Sequence, residues 1–98
     1  MKGSPRTSAD LDPRRRRLLY RAWHRGIREM DLVMGRFADV EICNLSDSEL
    51  DDFERLVDAQ DHDIFSWVSD TVPLPTEYDT PLFHKMKDFH LSGRGLPE

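Results

Sequence analysis

Leu45-Ser46-Asp47-Ser48-Glu49-Leu50-Asp51-Asp52-Phe53-Glu54-Arg55-Leu56-Val57 is the stretch that decides the fold. Ser46 and Glu49 form an S-x-x-E capping box, in which hydroxyl and carboxylate satisfy backbone N–H groups that a helix start otherwise leaves without partners. Leu45 before the cap and Leu50 after it make a hydrophobic staple. Leu50, Phe53, Leu56 and Val57 then recur at helical spacing. The opposite face carries Asp47, Glu49, Asp51, Asp52, Glu54 and Asp58, a solvated acidic surface whose first members favour the positive end of the helix dipole. An amphipathic helix with so definite a start requires other helices to cover its apolar stripe.

Those helices are legible on either side. Upstream, Asp12-Pro13 is a cap and first-turn pair, and Leu18, Leu19, Ala22 and Trp23 share one helical stripe. Gly26 ends or sharply bends this helix, since glycine reaches left-handed backbone angles at no steric cost. Ile27, Met30, Val33, Met34 and Phe37 give the inward face of a second helix. Gly35 within it costs roughly 1 kcal/mol relative to alanine, so it marks a bend or a close backbone approach to a neighbour. Downstream, Asp61 is the expected cap of a short fourth helix with Ile64, Trp67 and Val68 on one face, closed by Pro73 and Pro75. Thr80-Pro81 opens a fifth, carrying Leu82, Phe83, Met86 and Phe89. No alternating run supports a strand. The fold class is all-α, a compact bundle of about five helices. Residues 1–11 read as a disordered lead-in, 12–91 as the helical domain and 92–98 as a flexible tail.

The 98 residues allow one small core, so binding surfaces are favoured over deep cavities. Charge divides along the chain: residues 1–36 sum to +6 and residues 37–98 to −11, giving the net −5. A basic front and an acidic back suit a charged protein partner better than a nucleic-acid backbone. Cys43 is the single cysteine, which excludes an internal disulfide and a cysteine-built zinc site, and fits a reducing compartment. As a half-buried structural thiol it needs no catalytic role. No apolar run approaches the roughly 20 residues that span a bilayer. A bacterial cytoplasm is the expected location, with a mitochondrial matrix as the alternative suggested faintly by the Arg-rich opening.

The motifs exclude more chemistry than they offer. His24, His62, His84 and His90 have no spacing that sets two metal ligands on one helical face, and no phosphate-cradling glycine loop is present. No catalytic residue, metal or bound cofactor is expected of the chain itself. Trp23, Trp67, Phe37 and Phe53 read as core. Arg14 to Arg17 is the strongest basic run, and four cations near a helix start oppose its dipole. It supports an alternative reading, a small nucleic-acid-binding or transcription-associated protein, although a basic recognition helix is missing after Arg36. Arg25-Gly26-Ile27-Arg28-Glu29 is the densest constellation, with Arg25, Arg28 and Glu29 expected to project from a rigid corner between two helices.

In that corner and its flanks the chain resembles the SdhE-type succinate dehydrogenase assembly factors, whose signature is R-G-x-x-E. Arg25-Gly26-Ile27-Arg28-Glu29 matches it in full, preceded by Leu18-Leu19-Tyr20-Arg21-Ala22-Trp23-His24 and followed by Met30-Asp31-Leu32-Val33-Met34. Asp61-His62-Asp63-Ile64-Phe65-Ser66-Trp67-Val68 is similar to the family's D-x-D-[LI]-[FY]-x-W segment. The resemblance implies a five-helix non-enzyme that binds the flavoprotein subunit of succinate dehydrogenase, and sometimes that of fumarate reductase. It would promote covalent FAD attachment to that subunit, whose own histidine reacts at the flavin's C8 methyl carbon. It further implies that Arg25, Gly26 and Glu29 are contact residues, with Arg28 at a variable motif position; Arg28, Arg21 and His24 are expected to join them in binding the partner.

Overall fold

A computed structural model describes residues 11–92 and places five helices and no strand among them. Helix α1 is Pro13–Trp23. Helix α2 is one continuous rod in three stretches, α-helical Arg28–Met30, π-helical Asp31–Gly35 and α-helical Arg36–Glu41, closed by a 3-10 turn at Ile42–Asn44. Helices α3, α4 and α5 are Asp47–Val57, Asp61–Val68 and Pro81–Leu91. A further 3-10 turn, Thr76–Tyr78, lies between α4 and α5.

Local chemistry explains most of the starts. Ser46 Oγ accepts from Glu49 N at 3.2 Å while Glu49 Oε1 accepts from Ser46 N at 3.0 Å, the reciprocal box expected. Thr80 Oγ1 accepts from Phe83 N at 3.1 Å, with Pro81 in the first turn of α5. Two caps differ from expectation. Asp12 precedes Pro13 as predicted, but its carboxylate takes a bond from Arg15 rather than from the helix backbone. Asp61 is the first residue of α4, Gln60 standing at the cap, and its carboxylate is engaged elsewhere. Helix α4 ends well before the prolines: Ser69 closes it and Asp70 turns the chain at φ 64°.

The predicted stripes of α1, α3, α4 and α5 are all buried. In α2 the same holds for Met30, Val33, Met34 and Phe37, whereas Ile27 lies before the helix start and is exposed. Phe37 sits at the centre, meeting Phe53 of α3 and Phe89 of α5 edge to face, each at 5.8 Å between ring centres. Trp23 donates from Nε1 to Asp39 Oδ1 at 3.1 Å, and its ring covers Gly35. The close approach predicted at Gly35 is therefore a side chain against backbone. Trp67 stacks on Tyr78 at 4.8 Å, which gives the short turn after α4 its place on the core. Leu11, assigned to the lead-in from sequence, is buried against the bundle. The remainder of the expected lead-in, and the tail beyond Ser92, lie outside the described residues.

The first half of the Arg14–Arg17 run is absorbed by the fold, while Arg16 and Arg17 are exposed. Arg14 forks onto Glu54 at 2.9 Å through both Nε and Nη2 and also reaches Asp51, tying α1 to α3. These bonds hold the Glu54 carboxyl below its ordinary range and push the Arg14 guanidinium further up. Arg15 donates to the Ile42 carbonyl at 2.8 Å and the Leu45 carbonyl at 2.5 Å, satisfying backbone at the turn into α3. Cys43 in that turn is exposed, not half-buried as expected.

Candidate functional site

Between α1 and α2 the chain makes a corner, and glycine is what permits it. Trp23 is the last residue of α1, His24 follows at φ −122°, and Gly26 takes φ +95°, a left-handed angle that a side chain would strain. A Cβ on Gly26 would meet nothing within 4 Å, so the face of the turn it occupies is open. Gly26, Ile27, Arg28 and Glu29 are exposed, and Met30 turns inward to anchor the platform. Glu29 lies in the first turn of α2, where a carboxylate favours the helix dipole.

Arg25 departs from the expectation that it projects. Its side chain is 9% exposed. Nε donates to Asp61 Oδ1 at 2.7 Å, Nη1 to the Val57 carbonyl at 2.6 Å and Nη2 to the Ala59 carbonyl at 3.0 Å. Val57 is the last residue of α3 and Asp61 the first of α4, so one planar guanidinium spans the α3–α4 junction. The cation faces the negative end of α3, and the carboxylate lies at the positive end of α4. The Arg25 backbone N–H donates to Asp31 Oδ1 at 3.0 Å, and Asp31 is buried. The corner is thus held from within by two aspartates that sequence reading did not assign to it.

The flanking residues stay at the surface. Arg21 reaches Asp58 Oδ1 at 2.6 Å just beyond α3. Exposed His24 stacks on Tyr20 at 3.9 Å with 14° between the rings, its Nδ1 lying 2.7 Å from the Tyr20 carbonyl oxygen. Of the six residues assigned from sequence, His24, Gly26, Arg28 and Glu29 are exposed, Arg21 is partly exposed and Arg25 is largely buried. Among the described residues no cluster of His, Cys, Asp or Glu suits a metal ion, and no helix is long and apolar enough to cross a membrane.

Fold and corner together define a small all-helical protein that offers an ordered charged surface. Residues 16–90 match the family Sdh5, described as "Flavinator of succinate dehydrogenase". The chain is 35% identical over 86 residues to the FAD assembly factor SdhE of Acetobacter pasteurianus, covering 88% of this chain and 79% of that protein. It is 38% identical over 84 residues to succinate dehydrogenase assembly factor 2, mitochondrial, of Meyerozyma guilliermondii, covering 83% of this chain and 62% of the relative. A Dictyostelium discoideum protein of the same name is 36% identical over 72 residues, 74% of this chain and 51% of the relative. The chain belongs to this family of succinate dehydrogenase flavinators. It spans about half the length of several mitochondrial relatives, 47% and 54% in two yeasts.

Proposed function

We propose that this protein binds the flavoprotein subunit of a succinate dehydrogenase through its α1–α2 corner and promotes covalent attachment of FAD to that subunit. The observation that carries the reading is the presentation of the R-G-x-x-E motif. Gly26, Arg28 and Glu29 stand exposed on a turn whose Arg25 is bonded from inside, and Arg21 and His24 precede them on the last turn of α1 and just after it. A preorganised charged surface loses little ordering entropy on binding and fixes the register of a protein partner.

The chemistry then belongs to the partner. This chain supplies no acid, base or nucleophile to the reaction and holds no flavin of its own, acting as a non-enzyme that orders the flavoprotein around its cofactor. The flavoprotein of fumarate reductase is a second candidate client. The compartment is a bacterial cytoplasm, with a mitochondrial matrix as the alternative, the chain being similar both to a protein of a bacterium and to proteins named as mitochondrial. A nucleic-acid binder built on Arg14–Arg17 is the weaker reading, because Arg14 and Arg15 already spend their donors on carboxylates and carbonyls of this chain. The test is in-gel flavin fluorescence of the denatured flavoprotein subunit from cells lacking this factor, with and without the gene restored. Equal covalent flavin in both would reject the proposal.

A further inference from the structure

We infer that Asp61, at the start of α4, and Arg25 are positioning residues for the partner surface, acting as one unit that sets the conformation of the Gly26–Glu29 corner without touching the partner. The inference rests on the partner-binding reading above and adds to it a residue remote in sequence from the motif.

Three observations lead to it. First, Arg25 has committed its side-chain nitrogens: Nε, Nη1 and Nη2 each have an acceptor within 3.0 Å, contributed by Asp61, Val57 and Ala59. Swinging the side chain out to a partner would strand two backbone carbonyls and a carboxylate at a junction with little access to water. Second, the Asp61 side chain is 19% exposed and its Oδ1 is bonded to Arg25 Nε, so its nearest charged group lies within this chain. Third, the Arg25 backbone is clamped on its other side, its N–H on Asp31 at the start of the π-helical stretch of α2. Gly26 follows at once in a left-handed conformation with open space at its Cβ position. A glycine turn so open relies on its flanks for its geometry. The guanidinium fork and the Asp31 carboxylate are those flanks on the α1 side.

A planar fork is needed here because its three acceptors diverge. A lysine ammonium carries the same charge but cannot reproduce three fixed donor directions. The two segments that the family resemblance picked out separately, R-G-x-x-E and D-x-D-[LI]-[FY]-x-W, are therefore joined by the ion pair between Arg25 and Asp61.

The test uses the full chain, the purified flavoprotein subunit and FAD, with covalent flavin measured against factor concentration for wild type, Asp61→Ala, Asp61→Asn, Arg25→Lys, the Arg25→Lys/Asp61→Ala double variant and Glu29→Ala. Asp61→Ala and Arg25→Lys should raise the factor concentration for half-maximal flavinylation about tenfold while leaving the plateau at saturation within about twofold of wild type. Asp61→Asn, which keeps an acceptor for Arg25 Nε, should fall between. The double variant should match the worse single variant within about twofold, as expected of a coupled pair. Nitrogen-edited NMR of wild type gives a check that survives a folding failure. The Arg25 Nε–H resonance should keep its shift and slow exchange when the flavoprotein subunit is added, while Glu29 and Arg28 backbone signals move. A moved Arg25 Nε–H resonance, multiplicative single effects, or an Asp61→Ala curve equal to wild type while Glu29→Ala is impaired would overturn the positioning role alone. If Glu29→Ala also equals wild type, the corner is no partner surface and both readings fall.

Discussion

The Trp23 ring lies against the backbone of Gly35 so closely that a Cβ on Gly35 would fall 2.5 Å from Trp23 Cδ2 and 2.7 Å from Cε2. Trp23 cannot withdraw cheaply, because it is buried and its Nε1 is bonded to Asp39. Gly35→Ala should therefore destabilise the protein by about 1–3 kcal/mol through overpacking, despite alanine's better helix propensity. Chemical denaturation of the two proteins measures it, and equal midpoints at equal slope would show that the ring has room to move.

Trp67 stacks on Tyr78 and is 7% exposed. Its indole holds the Thr76–Tyr78 turn on the bundle, so Trp67→Ala removes both a core ring and the seat of that turn. The expected cost is about 3–5 kcal/mol, a large share of the stability of so small a domain. An unchanged melting temperature would place the ring outside the core.

Stability should also respond to acid in a defined direction. Bonding to Lys85 and to the Ser46 backbone holds the Glu49 carboxyl below its ordinary value of 4.5, and bonding to Arg14 does the same for Glu54. A depressed folded-state value means the contribution is present above the ordinary glutamate range and disappears as pH falls through the folded-state value. Lys85 is raised by Glu49, so its share is present below its ordinary value of 10.5 and is lost on the alkaline side. Melting temperature should fall below about pH 4.5, and Glu49→Gln should flatten that acid limb. An acid limb unchanged in Glu49→Gln would show that Glu49 is not among its causes.

What sequence alone reveals here is local. The Ser46–Glu49 box, the Thr80-Pro81 start and the buried stripes were legible because each signal is complete within a few residues. The partners of Arg14 and Arg25 lie 32 to 40 residues away, so nothing near either arginine marks it as internal. Asp61 was misread for the same reason. An aspartate before an apolar stripe looks like a cap, and only the folded chain brings Arg25 to its carboxylate. Likewise the π-helical stretch Asp31–Gly35 has the same apolar spacing as an α-helix, and no rule of local composition distinguishes the two.

At Gly26 strain and surface can be separated by experiment. Nothing lies within 4 Å of the Cβ position, so the cost of Gly26→Ala is the left-handed φ of 95° alone, about 1–2 kcal/mol. Asparagine tolerates positive φ better, and Gly26→Asn should recover part of that stability. Covalent flavinylation should remain impaired in both variants, since each places a side chain on the open face of the turn. Flavinylation that tracks melting temperature across the two would assign Gly26 a conformational role only.

The corner variants divide into two groups by what their side chains touch. Glu29 and Arg28 are exposed, so replacing either by alanine should change stability by no more than about 1 kcal/mol, the loss at Glu29 being its favourable place in the first turn of α2. Arg25→Ala is different, because it leaves the Asp61 carboxylate and the Val57 and Ala59 carbonyls without their donor. Removing one partner of a largely buried ion pair costs about 3 kcal/mol or more. Thermal melts should therefore separate Arg25→Ala from Glu29→Ala by many degrees, while flavin fluorescence in cells lacking the factor should be reduced by both. Loss of one member of a desolvated interfacial charge pair is worth about 2–5 kcal/mol of binding, enough for Glu29→Ala to leave most of the flavin non-covalent with its fold intact. A Glu29→Ala protein that restores covalent flavin fully would reduce the motif to a helix corner. An Arg25→Ala protein that melts like wild type would show that the guanidinium is not the staple its three bonds describe.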